Sequence, residues 1–588
     1  MNTPLRRRAL LVILLFTTGF TTISTRLIFL QMVDHQVYLE EAGEMHYDTV
    51  VIPPRRGSVM DVKGRVLAQT LIVIDLHIDG KLVKEDPEPL TEVAEILNVP
   101  LDQLQSQISE KNRFKLISRE LNEDVVKQLA ALEYRPLRLE QRLLRVYPNS
   151  HEGSHVIGFT NQLNKEIDGG EREMKTEEGI IGVERIMDKY LRGIPGERRV
   201  VRDRDGHEIA AYRQYNRPAT NGLNVVLSLD AGVQNIIESE ADRLIEEFSP
   251  ESLNIVVVRP STGEILGLTN RPSFNPNNRA ELKTEQLRNG AVMDLFEPGS
   301  GFKIITLAAA LNEGIAALDT PIFCENGKFF YAERWLHDSK PHGLLPLSEC
   351  FAVSSNIAFA KLGLSLEKER LYKYIRQFGF GETLQNPEMA LKGEARGILR
   401  PPNYWSNLSP TRIPIGYEIA ATNLQMAMAV AAIANEGKLM EPILVKALVD
   451  ENERMVKQYL PKVVRKVVDQ DVAEDVIKAM QDVVVTGTGK AASVDGFPVA
   501  GKTGTARKVI EGSYAKGAYY SSFIGFLPAE DPEFLVSVVV NQPQGESYYA
   551  SKVAAPSFGR IGRRVAQQLD LVKPQNSAFA KLPEGESR

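Results

Sequence analysis

"FEPGSGFKIITLAAALNEG", residues 296–314, runs a glycine-flanked turn directly into an apolar helical segment. Pro298-Gly299 marks the turn, and Ile304, Ile305, Leu307 and Ala308 to Ala310 make the following turns almost wholly apolar. Ser300 and Lys303 stand three apart, one helical turn, and therefore on one face. A lysine in that setting is costly to keep charged. Either Lys303 is an accident of a helix surface, or it takes a proton from Ser300.

Outward from this segment the pattern changes from helix to strand. Upstream, "NVVLSLDAGVQNIIESEADRLIEEF" (224–248) reads as a strand entering an amphipathic helix. "NIVVVRPSTGEILGLTN" (254–270) gives two β-rich runs joined by a Pro-Ser-Thr-Gly turn. Downstream, "PVAGKTGTARKVI" (498–510) and "SSFIGFLPAEDPEFLVSVVVNQP" (521–543) supply three more strands. Helical patterns such as "SNIAFAKLGLSL" and "NLQMAMAVAAIANEG" lie between. The expected fold class is α+β, an antiparallel sheet closed by the N- and C-terminal segments of one domain over 223–570.

The chain has 588 residues, 43% hydrophobic and 25% charged, enough for at least two domains. A net charge of -6 gives no basic excess for nucleic acid. Two cysteines, Cys324 and Cys350, exclude a disulfide scaffold or a cysteine-rich metal site, and leave one bridge or two buried thiols open. "MNTPLRRR" (1–8) precedes an apolar run over 9–31 broken only by Arg26. That length suits a bilayer span of roughly 20 residues and exceeds a signal-peptide core. The expectation is a short cytoplasmic tail, an uncleaved single-pass anchor in the inner membrane, and an extracytoplasmic body.

Residues 32–222 form a second, charge-rich region. "EDPEPLTEVAEILNVPLDQLQSQI" suggests two short helices, the first capped by Thr91. His151 and His155, four apart in "NSHEGSHV", have a glycine between them and read as a loop rather than a metal site. "LRVYPNSHEGSHVIGFT" and "EEGIIGVERIMDKYLRGIPGERRV" show no chemical grouping. The end of the chain, 571–588, reads as a disordered tail.

Ser-x-x-Lys alone is uninformative, with about two matches expected by chance in a chain this long. It occurs at Ser300/Lys303, at Ser365/Lys368 on a charged helix face, and at Ser513/Lys516 in a glycine-bearing loop. Lys502-Thr503-Gly504 is rarer, roughly a tenth of a match by chance. The order carries the weight: Ser300-Gly-Phe-Lys303, Ser354-Ser-Asn356, then Lys502-Thr503-Gly504-Thr505. This set resembles that of the penicillin-binding proteins and β-lactamases. "RRGSVMDVKGRVLA", "RVYPNSHEGSHVIGF" and "GIIGVE" are similar to the pedestal, or dimerisation, domain of class B penicillin-binding proteins. "FEPGSGFK", "AVSSNIAFAKLG" and "VAGKTGTARK" are similar to their transpeptidase domain. "SSNIAFAKLGL" is closer to the division type than to the elongation type, which often has Ser-x-Asp there.

The resemblance implies a D,D-transpeptidase that cross-links peptidoglycan stem peptides through an acyl-Ser300 intermediate and is acylated by β-lactams. Lys303 is then the base. Holding it neutral near pH 7 requires roughly 4–5 kcal/mol relative to a free lysine, supplied by burial and by a second cation, Lys502. Ser354 relays a proton to the leaving amine, and Asn356 holds the donor peptide's amide. Lys502 to Thr505 form an edge strand for the substrate, Gly504 allows its close approach, and Thr503 and Thr505 bind its carboxylate. The N–H groups of Ser300 and Thr505 form an oxyanion hole. No metal or cofactor is implied. Expected partners are a glycan-polymerising glycosyltransferase and division proteins.

Gly290, Met293 and Glu418 stand where the family usually has Arg, Thr and Gly. Competing readings are an elongation-type enzyme, a D,D-carboxypeptidase, a β-lactamase, a β-lactam sensor and a vestigial scaffold. The β-lactamase reading draws on Glu382 and Asn386, spaced as a deacylating pair.

Overall fold

The computed structural model describes residues 3–34, 47–108, 114–167, 172–201, 215–386, 390–545 and 547–572. The tail expected from 571 falls outside them beyond residue 572. Two compact units emerge, one of residues 1–55, 165–176 and 193–221, the other of residues 56–164, 177–192 and 222–588.

In the first unit helix α1 (Thr3–Ile28) runs 26 residues, about 39 Å at 1.5 Å per residue. Among the described residues it supplies the one helix long and apolar enough to cross a membrane. Its threonines do not break it, because Thr18, Thr21, Thr22 and Thr25 each donate to the carbonyl four residues earlier at 2.7–2.8 Å. Strands Tyr47–Ile52, Gly196–Val201 and Tyr215–Arg217 form a three-stranded antiparallel sheet in the same unit.

The second unit begins with a long antiparallel pair, β1 (Val66–Ile78) and β2 (Leu137–Val146). Leu76, Ile78, Leu90, Val93 and Leu104 make a small core beside it. The helix expected near Thr91 spans Leu90–Leu97, but Pro89 occupies the cap and Thr91 lies inside the first turn. Pro89, at φ -70°, is pre-set for helical entry, which no side-chain cap is needed to impose.

The two segments that lacked a visible grouping converge with a third, "RRGSVMDVKGRVLA". Arg56, Arg145 and Glu184, one from each, meet in a buried network. Arg56 Nε and Arg145 Nε donate to opposite oxygens of Glu184 at 2.7 and 2.8 Å. Burial raises the Glu184 carboxyl's pKa, and the two guanidiniums more than reverse that, leaving it below its ordinary value. His155 is a core residue, its Nε2 2.8 Å from the Gln286 carbonyl, and burial lowers its pKa to about 4. Among the described residues no cluster of His, Cys, Asp and Glu could hold a metal ion.

The rest of the unit is layered. In chain order it contains α2 (Ala231–Phe248), β3 (Ser252–Val258), β4 (Ile265–Arg271), α3 (Lys303–Asn312), α4 (Asn356–Gln377), α5 (Asn423–Ala434), α6 (Gln470–Val485), β5 (Ala500–Ile510), β6 (Ser513–Leu527), β7 (Phe534–Asn541) and α7 (Ala554–Gln568). The sheet is antiparallel throughout, in the order β4-β3-β7-β6-β5. The N- and C-terminal strands therefore close one sheet, as the sequence predicts. Strand alternation divides its faces. Leu253, Ile255 and Val257 pack with α2 and α7. Val256 and Val258 belong to the core built on α3, α4 and α5.

One local expectation fails. Ser513 and Lys516 lie in β6, not in a loop, because Glu511 (φ 51°) and Gly512 (φ 78°) make a two-residue turn that pairs Ile510 with Ser513. Two consecutive positive φ values match the twist of a hairpin. Glu511 hides the turn, since asparagine or aspartate is the usual signal at that position.

Candidate active site

Ser300 stands in a tight 3-10 turn, Gly299–Phe302, that leads straight into α3. Gly299 has φ 52°, and its N–H donates to Gly416 O at 3.1 Å, pinning the turn. A left-handed residue there favours glycine. Lys303 opens α3 among Ile304, Ile305, Leu307 and Phe302, all buried, and is itself 0% exposed. Lys502, on β5, is likewise 0% exposed.

Both lysines converge on one hydroxyl. Ser354 Oγ lies 3.2 Å from Lys303 Nζ and 3.0 Å from Lys502 Nζ. Lys303 Nζ also donates to Ser354 O at 2.7 Å and to Asn356 Oδ1 at 2.8 Å. Ser354 holds φ 62°, a left-handed conformation uncommon for a residue other than glycine. That twist brings its carbonyl and hydroxyl to the same amine, a local strain of the kind found at working sites.

Burial in this dry cleft lowers the pKa of Lys303 to about 7, while the Asp338 carboxylate and the Cys350 thiol act in the opposite direction. Burial, and then repulsion from Lys303, hold Lys502 well below its ordinary value. Each ammonium also lies near an aromatic face, Lys303 5.6 Å from the Phe359 ring centroid and Lys502 5.5 Å from that of Phe351. Among the described residues Lys303 Nζ bonds Ser354 and Asn356, and not Ser300.

Strand β5 is an edge of the five-stranded sheet, so the backbone groups on its outer side are free of sheet partners. Gly504 is required for a reason nearer than substrate access. A Cβ there would lie 2.4 Å from Ser522 Oγ and 2.9 Å from Pro298 O, so any side chain would push the strand off the Ser300 turn. Thr503 Oγ1 is 2.8 Å from Thr488 Oγ1, and Thr505 Oγ1 accepts from Ala550 N at 3.1 Å. Sequence reasoning missed Thr488 and Ala550, which lie outside any recognisable pattern.

It also missed Asp338. This residue follows a hairpin of strands Lys328–Tyr331 and Arg334–His337. Its Oδ1 accepts from Asn356 N at 2.6 Å and Ile357 N at 3.1 Å, and its Oδ2 from Ser355 Oγ at 2.6 Å. Asn356 Nδ2 donates to His337 O at 3.0 Å. Cys324 and Cys350 are buried free thiols with sulfurs 3.6 Å apart, and Ser355 Oγ approaches Cys324 Sγ at 3.4 Å.

The departures at Gly290 and Glu418 are visible. Gly290 lines a cleft of about 560 Å³ with Asp294, Lys508 and Asn541. Glu418 keeps the positive φ, 61°, that suits a glycine, and its N–H donates to Glu297 Oε1 at 2.9 Å. Glu382 is ion-paired to Arg376 and Arg465, which leaves it poorly placed to activate a deacylating water.

Comparison with known proteins follows this geometry. Residues 253–563 match the penicillin-binding protein transpeptidase domain, and residues 51–227 match the penicillin-binding protein dimerisation domain. The chain is 32% identical to stage V sporulation protein D of Bacillus subtilis, covering 99% of this chain and 88% of that protein. It is 30% identical to peptidoglycan D,D-transpeptidase FtsI of Escherichia coli, covering 93% and 89%. Penicillin Binding Protein 2X of Streptococcus thermophilus has the same fold at TM-score 0.75 and 22% identity, over 89% of this chain and 80% of that one. Penicillin binding protein 3 of Mycobacterium tuberculosis, solved with aztreonam, superposes at TM-score 0.67 and 24% identity, over 91% and 100%. The chain therefore belongs to the class B penicillin-binding proteins and is a serine-type peptidoglycan D,D-transpeptidase.

Proposed function

We propose that Ser300 carries the acyl group in this transpeptidase and that Lys303 activates it. Neutral Lys303 takes the Ser300 hydroxyl proton as Oγ attacks the carbonyl carbon of the donor's penultimate D-alanine. The C–N bond to the terminal D-alanine then breaks, and its leaving amine gains a proton through Ser354, flanked by Lys303 and Lys502. An acceptor amine attacks the ester, loses its proton to the same relay, and frees Ser300. N–H groups of Ser300 and Thr505 stabilise the oxyanion, and Lys502 to Thr505 align the donor along the edge of β5, with Asn356 on its amide.

The observation that carries this reading is the convergence of two fully buried lysines on Ser354 Oγ, at 3.2 and 3.0 Å. A surface ion-pair role for Lys303 has no place in such a cleft. The test is labelling by a fluorescent penicillin. Ser300→Ala should abolish the covalent label, whereas Ser513→Ala, out on a hairpin, should keep it. A label that survives Ser300→Ala would overturn the assignment.

The role in the cell is septal wall synthesis, supported by the Ser354-Ser355-Asn356 sequence and by similarity to a protein named FtsI. Arg6 to Arg8, at the start of α1, support a cytoplasmic N-terminus and an extracytoplasmic body. A glycan-polymerising glycosyltransferase and division proteins are the partners of this reading. Depletion should give filaments with unfinished septa, and rounded cells would favour elongation instead.

A further inference from the structure

We propose that Asp338 is a positioning residue for the transfer reaction: its carboxylate fixes residues 355–357, and with them the Asn356 side chain that receives Lys303, while its charge favours the protonated form of Lys303. This rests on the roles assigned above to Ser300 and Lys303. Asp338 itself touches neither the nucleophile nor the substrate strand.

The geometry is a short relay. Asp338 Oδ1 receives the N–H of Asn356 at 2.6 Å and of Ile357 at 3.1 Å, the first amides of α4. Asn356 Oδ1 receives Lys303 Nζ at 2.8 Å. Oδ2 receives Ser355 Oγ at 2.6 Å, and that hydroxyl in turn caps Ala358 N at 3.1 Å. One carboxylate thus holds three consecutive residues, 355 to 357, directly after the strained Ser354. The hairpin fixes the carboxylate from its own side, with Asp338 N donating to Gly327 O at 3.2 Å and His337 O receiving Asn356 Nδ2 at 3.0 Å. Asn356 is therefore gripped at its backbone N–H, its amide nitrogen and its amide oxygen.

The charge matters separately from the grip. A negative charge near a buried amine favours its protonated form. The ionisable groups acting on Lys303 are Asp338 and the Cys350 thiol of the Leu347–Ala352 helix, and Lys303 in turn acts on Lys502. Asp482 of α6 acts with Glu349 instead, and the 413–415 turn packed on α3 is Ile-Pro-Ile. Asp338 and burial therefore pull Lys303 in opposite directions. Asp338 makes the resting amine easier to protonate, and so moves the pH at which the base becomes available upward.

The experiment is the pH dependence of the acylation rate constant for a fluorescent penicillin, measured on the full-length protein between pH 5 and 9. In Asp338→Asn an amide oxygen can still accept from Asn356 N, but the charge is gone. The acid limb should then move to lower pH by on the order of one unit. Ser355→Ala removes one bond to Asp338 and keeps the charge, so its limb should stay where the wild type's lies, whatever happens to the plateau. Asp338→Glu should return the limb to the wild-type position. A limb in Asp338→Asn that superimposes on the wild type's overturns the proposal, as does a Ser355→Ala limb shifted as far. Should Asp338→Asn acylate too slowly to follow, Asp338→Glu decides: recovery of reaction with the wild-type limb supports the charge role, and a folded but unreactive Asp338→Glu overturns it. A wild-type label independent of Ser300 would instead remove the underlying site assignment, a result the same assay separates from the others.

Discussion

Replacing Ser354 by alanine tests the centre of the site with one oxygen atom. Lys502 Nζ loses its 3.0 Å partner while remaining fully buried, with the Phe351 ring 5.5 Å away as its remaining favourable contact among the described residues. Lys303 loses the 3.2 Å contact but keeps Ser354 O and Asn356 Oδ1. Leaving a buried donor unsatisfied costs about 1–3 kcal/mol. At roughly 2–4 °C per kcal/mol for a large domain, the melting temperature should fall by several degrees. Removing a proton relay should slow acylation by about 10²- to 10⁴-fold. Ser354→Gly separates the two effects, because glycine relieves the left-handed strain at φ 62°, worth about 1–2 kcal/mol. It should melt above Ser354→Ala and react just as slowly. The assays are thermal unfolding and stopped-flow acylation by a fluorescent penicillin. An alanine variant that reacts within about threefold of the wild type would refute the relay.

Two further outcomes follow from buried charge elsewhere. Arg145→Met strips Glu184 of one of two guanidiniums at a site with 0% side-chain exposure; breaking such a pair from one side should cost about 3–5 kcal/mol, read by urea unfolding, and a loss below about 1 kcal/mol would contradict it. Glu297 is pushed up to about 7 by burial, with repulsion from Glu418 in the same direction, while the Glu418 N–H and Tyr514 hydroxyl act against it. A raised folded-state pKa means that its stabilising contribution is full below the ordinary value of 4.5 and fades as pH rises toward 7. Glu297→Gln should therefore flatten the fall in melting temperature between pH 5 and pH 8, and an unchanged slope would show that Glu297 is not its source.

The outline of the fold is legible along the chain. Strand patterns on both sides of apolar helices required one α+β layer structure, because strands with two buried faces have to be covered twice. Lys303, Ser354 and Lys502, which the structure brings together, are legible since their order is written along the chain. Other features were invisible for a common reason. Arg56, Arg145 and Glu184 are unremarkable one at a time, and only folding makes three charges from distant segments share one dry volume. Thr91 is not the cap because Pro89 starts the helix without one, and the Glu511-Gly512 turn lacks the usual residue. Asp338 carries no local signature either. Its reach to residues 355–357 depends on where a hairpin ends in space. Residue types and spacing specify which groups can do chemistry. Which of them lose their water, and which charges they then face, was decided by the tertiary packing alone.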